Sequence, residues 1–223
     1  MLIKLEQLQP LFEKKPVIGV LHLGAHAAEE LEGYKSHGME RVIWVEANTG
    51  LAVYLINRTI NDLGSTVVFG AACDEDDKLV DLNIANNGES SSLFPLKEHE
   101  KEHPQVKYIG TVQTWAFQVD TMMEKKGFDR TLFNFANIDI QGAELLALKG
   151  MHEQLKHLDY VYLEVNEKHL YEDCVLIDEL DEFLLEHGFE RNMTVMTNHG
   201  WGDALYTRKS TKSFWDMIRR RSK

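Results

Sequence analysis

VIGVLHLGAHAAEELEGYKSHGMERVIWVEAN, residues 17–48, decides how the rest of the chain is read. Val17–Leu23 is apolar and β-branched, the make-up of a buried strand, and Gly24 closes it. Ala27–His37 then reads as a helix, with Leu31 and Tyr34 spaced for one face. Val42–Glu46 is a second short strand that ends in an acid. Strand, helix and strand in units of about 30 residues imply right-handed βαβ crossovers and a parallel sheet.

The alternation extends outward from there. Thr49–Leu63 reads as a helix stopped by Gly64, and Val67–Ala72 as a third strand. The middle is less regular. Leu79–Asn86 alternates like a half-exposed strand, Gly88–Ser92 is a loop, Glu98–Pro104 a charged surface excursion and Val112–Val119 another strand. Strand Leu132–Ile140, helix Ala143–Lys149, strand Tyr160–Val165 and helix Leu176–His187 resume the pattern, with Gly188 as the last helix's cap. Phe189–Met196 and Ala204–Arg208 flank Thr197–Asp203, which carries Asn198, Gly200 and Gly202, and form an antiparallel hairpin. The expected fold is α/β, a mostly parallel sheet with a C-terminal antiparallel hairpin.

Composition narrows the class of protein. With 223 residues, 43 % hydrophobic and 27 % charged, the chain can bury a full core as one domain without disulfides. It has no apolar run of about 18 residues, so no membrane span is expected. MLIKLEQLQPLFEKKP, at the N-terminus, is broken by charges and has no signal-peptide core. Cys73 and Cys174 stand far apart, which fits a reducing compartment and makes the cytoplasm the expected address. The formal charge is −12, and seven bases against one acid from Arg208 onward leave −18 on residues 1–207. So acidic a body repels phosphate backbones, and nucleic acid is not expected as the substrate. Phe214 and Trp215 precede the basic end and could dock on a second copy or on another domain of a larger enzyme.

Ligands of open parallel sheets bind at the carboxyl ends of the strands, near the point where strand order reverses. Those ends carry His22, Gly24, Ala25 and His26; Glu46, Ala47 and Asn48; Ala72, Cys73 and Asp74; Asp139 and Gln141; and Glu164 and Asn166. Polar groups capping apolar strands mark a site. Gly24 followed 22 residues later by Glu46 is an arrangement for a ribose: backbone approaches the ligand, and a carboxylate accepts from two hydroxyls. A dinucleotide fingerprint would need glycines where His26 and Glu29 stand, and Glu29 and Glu30 would repel a pyrophosphate. A phosphate-free nucleoside bearing a positive sulfonium, S-adenosylmethionine, suits the loop better.

HLGAH (22–26), WVEAN (44–48), SSSL (90–93), FANIDIQGAELLALKG (135–150), YVYLEVNEKHLYE (160–172), LDEFLLEHGF (180–189) and DALYTRK (203–209) follow one another in the order and spacing of a known family. The chain resembles the FkbM-type S-adenosylmethionine-dependent methyltransferases, most specifically over residues 135–150. The resemblance implies a Rossmann-like, seven-stranded methyltransferase sheet and methyl transfer to a hydroxyl, often on a sugar or natural product. It divides the chain into a helical lead-in (1–16), a methyltransferase domain (17–209) and a basic tail (210–223). His22 and His26 stand where the family usually has Asp and Asn, and Asn137 where a lysine is common.

The expected cofactor contacts are Gly24, Ala25, Glu46, Ala47, Ala72, Asp74, Asp139 and Gln141. A hydroxyl needs a base or a metal to react near neutrality, and the candidates for the base are Asp139, His22, His26 and Glu164. His22, His26 and Glu29 have a spacing that could ligate a divalent metal, but they cross a strand–loop–helix junction, so a metal is not favoured. His169 and Tyr171 are expected on the acceptor side, and Ser90–Ser92 over the site or in a plain connector. Glu144 is read as a complement to a helix N-terminus. The expected acceptor is a small molecule or glycan terminus. Two rivals share the sheet: an NAD(P)-dependent oxidoreductase or epimerase, which lacks its other glycines and a Tyr-x-x-x-Lys, and a non-catalytic nucleoside-binding protein.

Overall fold

The computed structural model describes residues 1–209; the basic tail, with Phe214 and Trp215, lies outside them. Seven strands form the main sheet: β1 (Val20–Leu23), β2 (Val42–Glu46), β3 (Ser65–Phe69), β7 (Phe135–Ile138), β8 (Tyr160–Asn166), β9 (Phe189–Met196) and β10 (Trp201–Arg208). Their order is β3-β2-β1-β7-β8-β10-β9, with β10 antiparallel to both neighbours and the remaining pairs parallel. A separate three-stranded sheet, β4-β6-β5, is built from β4 (Ala71–Ala72), β5 (Lys78–Ala85) and β6 (Tyr108–Phe117).

Every residue of β1, β2, β7 and β8 is buried, because helices cover both faces of the sheet. Side chains alternate across a strand, so one core takes Leu21, Leu23, Ile43, Val45, Ala136 and Ile138. It packs beneath α5 (Val119–Lys125), α6 (Glu144–Lys149), α7 (His152–Leu155) and α8 (Ile177–Glu186). The other face carries Val20, Val42, Trp44, Phe135, Tyr160 and Tyr162 under α1 (Leu5–Phe12) and α2 (Leu31–Ser36). On that face the register sets Trp44, His22, Asn137 and Tyr162 side by side on four adjacent strands. Helices α3 (Ala52–Thr59) and α4 (His99–Glu102) complete the elements.

The parallel sheet and its terminal hairpin match the expectation from sequence; four local expectations do not hold. The second helix starts at Leu31 rather than Ala27, because His26 and Ala28 adopt left-handed backbone (φ 43° and 55°) and residues up to Glu30 form a turn. Thr49–Leu63 is a 3₁₀ turn (Thr49–Leu51) followed by the shorter α3. The apolar run Val67–Ala72 is broken at Gly70 (φ 138°), where β3 ends and the chain leaves to pair β4 with β6. Glu98–Pro104 is not purely a surface excursion, since His99 on α4 is buried.

Tyr160 anchors α1 to the sheet, its hydroxyl lying 2.9 Å from the Leu11 carbonyl and 2.8 Å from that of Lys15. Tyr160→Phe should lower stability by about 1 kcal/mol, the net worth of a hydrogen bond, through the midpoint of denaturant unfolding. An unchanged midpoint would show that apolar packing alone holds α1.

Candidate active site

Strand order reverses between β1 and β7, and two adjoining cavities open at their carboxyl ends. Gly24, His26, Glu89, Asp139 and Gln141 line both. A Cβ placed on Gly24 (φ 86°) would lie 1.8 Å from the Asp139 carbonyl oxygen, so only glycine lets the β1 loop pass this close to the end of β7. The Gly24 and Ala25 amides both donate to the Val45 carbonyl at 2.9 Å, tying the loop to β2 as well.

The narrower cleft is walled by Val45, Ala47, Gly70, Ala71, Ala72, Leu82, Leu93 and Ile140, with Glu46 as its buried acid. One Glu46 oxygen accepts from the His26 amide (2.7 Å) and the other from the Asn48 amide (2.6 Å). Burial raises the Glu46 pKa. Small apolar side chains beside one buried carboxylate fit an adenosine: the walls take the ring, and the lone pairs that remain on Glu46 take ribose hydroxyls.

The wider cavity, about 500 Å³, is lined by polar side chains from both sheet and loops. Gln141 is its hub. Held in left-handed backbone (φ 56°), it donates from Nε2 to Asp139 Oδ1 (2.7 Å) and to Glu164 Oε2 (2.6 Å). Its side-chain oxygen accepts from the Tyr171 hydroxyl (2.6 Å), and its main-chain carbonyl from the Ser92 hydroxyl (2.6 Å). Burial, Asp139 and Glu144 hold the Glu164 carboxyl well above the usual carboxylate range. Across the β8–β10 pair Glu164 stands directly opposite Asp203, which accepts from the Tyr162 hydroxyl and the Leu2 amide. Burial raises Asp203 too.

His22 is buried beneath Tyr34 and Trp44. Asn137 Nδ2 donates to the Tyr34 hydroxyl (2.7 Å), which also lies 3.0 Å from His22 Nδ1. Burial lowers the pKa of the His22 ring. His26 pairs through Nδ1 with Glu29 Oε1 (2.8 Å).

Gly24, Glu46, Ala47, Ala72, Asp139 and Gln141 border the narrow cleft, and His22, His26, Asp139 and Glu164 the wide one. Ala25 and Asp74 border neither. The Ala25 side chain falls on the α2 side of the sheet, and Asp74 accepts from the Cys73 thiol. Tyr171 lines the wide cavity, whereas His169 bonds instead to the Cys174 carbonyl and Asn166 borders neither cavity. Ser92 is buried and bonded, so the serine stretch is part of the site and not a plain connector. Glu144 accepts from the Ile140 (3.0 Å) and Gly142 (3.1 Å) amides, a structural task, and burial pushes it up to about 7. Asp203, Tyr162, Asn137, His99 and Trp201 were not expected at the site; only cross-strand register and long loops bring them there. Among the described residues no group of three or more His, Cys, Asp or Glu is placed to hold a metal ion, and no helix is long and apolar enough to cross a membrane.

A parallel sheet reversing order between β1 and β7, a glycine loop after β1 and a buried acid ending β2 define an S-adenosylmethionine-dependent methyltransferase. Its sequence matches the methyltransferase FkbM domain over residues 22–191, and the chain belongs to that family. No curated protein matches it. Among solved structures it is similar to the putative tRNA (m1A22) methyltransferase Sp1610 of Streptococcus pneumoniae, at 14 % identity over 98 % of this chain and 76 % of that one (TM-score 0.51). That protein in complex with S-adenosyl-L-methionine gives 14 % identity, 98 % and 78 % coverage and a TM-score of 0.50. A NADB-Rossmann superfamily protein from Streptococcus agalactiae gives 13 %, 95 % and 72 %, and 0.50. At these identities the likeness is one of fold.

Glu144 yields a pH prediction. Its native pKa of about 7 lies above its ordinary 4.5, so the folded state binds the extra proton between those values. Stability should therefore fall as pH rises from the ordinary value to the native one. Glu144→Gln keeps an oxygen for the Ile140 and Gly142 amides and should flatten that slope, read from denaturant midpoints across the range. Parallel slopes in the two proteins would remove Glu144 as its source.

Proposed function

We propose that the protein is an O-methyltransferase that moves a methyl group to a hydroxyl of a small polar acceptor, most simply a sugar or glycan terminus. The observation that carries this reading is Asp139, the one carboxylate at the end of β7 that borders both cavities. When bound, S-adenosylmethionine supplies a methyl group on a sulfonium that an oxygen nucleophile can take in line.

Glu46 would hold the ribose hydroxyls, Ala72 and Leu82 would border the ring, and Gly24 would keep the loop clear. A hydroxyl placed in the wide cavity gives its proton to Asp139 as the oxygen–carbon bond forms. Burial and its acidic neighbours raise the Glu164 carboxyl well above the usual carboxylate range, so Asp139 rather than Glu164 is assigned as the base. Gln141 fixes the aim of Asp139 through the bond to Oδ1 and leaves Oδ2 for the substrate. The Streptococcus pneumoniae relative in fold is named for tRNA; a cavity that, among the described residues, has six carboxylates and no lysine or arginine on its wall opposes a phosphate backbone.

Asp139→Asn keeps the shape of the side chain and removes the base. Turnover of a sugar acceptor with labelled methyl donor should fall by about a hundredfold or more, with the protein still folded and still binding S-adenosylhomocysteine in calorimetry. Full activity in that variant would sink the assignment of Asp139.

A further inference from the structure

Six carboxylates, Glu29, Glu30, Glu89, Asp139, Glu164 and Asp203, border the wide cavity, and among the described residues no lysine or arginine does. The Met1 ammonium borders it too, 4.0 Å from Glu30. The adenosine of the cofactor does not account for the imbalance, because Glu29, Glu30, Glu164 and Asp203 border only this cavity and not the narrow cleft. Three of the carboxylates converge. Glu164 and Asp203 are direct cross-strand partners, both buried, and Asp139 reaches Glu164 through a single shared amide nitrogen. Two acids thus face each other across an antiparallel pair, and the group that links them to Asp139 is a neutral amide, which supplies no positive charge.

A second, independent sign lies on the same wall. Asn137 is 2 % exposed, borders the cavity, and its Oδ1 has no hydrogen-bond partner. A buried acceptor without a donor opposes folding, and a ligand rich in donors would satisfy it. Carboxylates and an orphan carbonyl together ask for one kind of guest.

Resting on the methyltransferase reading, we propose that the acceptor is a small hydroxylated nitrogen cation, such as an amino sugar, whose ammonium lies among Asp139, Glu164 and Asp203. The ammonium supplies the three donors and the positive charge that this wall lacks. Glu164 is faced by Asp139 and Gln141 at the end of β7, by Glu144 on α6, by Tyr171 from the segment after β8 and by Asp203 on β10. With the cation present Glu164 and Asp203 ionise, so binding releases protons.

The test uses three matched sugars, glucosamine, glucose and glucuronate, titrated in EDTA into protein saturated with S-adenosylhomocysteine, with calorimetry in two buffers of different ionisation enthalpy. Glucosamine should bind about tenfold or more tighter than glucose, release protons, and bind more weakly as salt is raised; glucuronate should bind worst. Asp203→Asn should erase the preference while leaving the affinity for S-adenosylhomocysteine within about twofold, since Asp203 does not border the narrow cleft. Glu164→Gln is the second variant, should Asp203→Asn fail to fold. Failure to bind S-adenosylhomocysteine overturns the methyltransferase reading and this inference with it. Saturable cofactor binding with glucosamine no better than glucose, or with no sugar bound, overturns the inference alone.

Discussion

The contact on which the site depends is between backbone and backbone. Gly24 passes so near the Asp139 carbonyl that no side chain fits, and this contact joins the ends of β1 and β7 at the reversal of strand order. It holds the β1 loop, Asp139 and Gln141 within one small volume. Both cavities are bounded by those residues, so on the proposed reading cofactor and acceptor would share one wall. His26 and Gln141, which border both cavities, adopt left-handed backbone, strain of the kind found at binding sites.

Around that contact the two faces of the sheet do different work. The α5–α8 side is apolar and closes a core, while the α1–α2 side carries Trp44, His22, Asn137 and Tyr162 in a row across four strands. Tyr34 bonds two members of the row, His22 and Asn137. A histidine inside a parallel strand is here a polar seam with its donors and acceptors arranged, and the unpaired atom falls at the cavity.

What sequence could reveal follows from the same geometry. Strands buried on both faces read as unbroken apolar runs, so β1, β2, β7 and β8 were legible, and so were the groups at their carboxyl ends: Gly24, Glu46, Asp139 and Gln141. Gly70 stood in a run that looked continuous, because a glycine with reversed φ leaves no mark in hydropathy. Ala25 and Asp74 sat beside legible positions but turned away from the cleft. Asp203 and His99 were hidden for a different reason. One reaches the site through antiparallel register and the other through the long segment between β5 and β6, and neither has a spacing that a local pattern can carry.

Asp203 also receives the Leu2 amide, 201 residues away along the chain. The narrow cleft is bounded entirely by residues 24–143, whereas the wide cavity takes walls from Met1 and Leu2 and from Trp201 and Asp203. The two halves of the site thus differ in loop-closure entropy and in when they can exist during synthesis. The nucleoside half can assemble while the hairpin strands are still being made; the acceptor half must wait until the first residues meet a strand from the far end of the domain. A ligand in the first half would then stabilise a chain that cannot yet admit a substrate to the second.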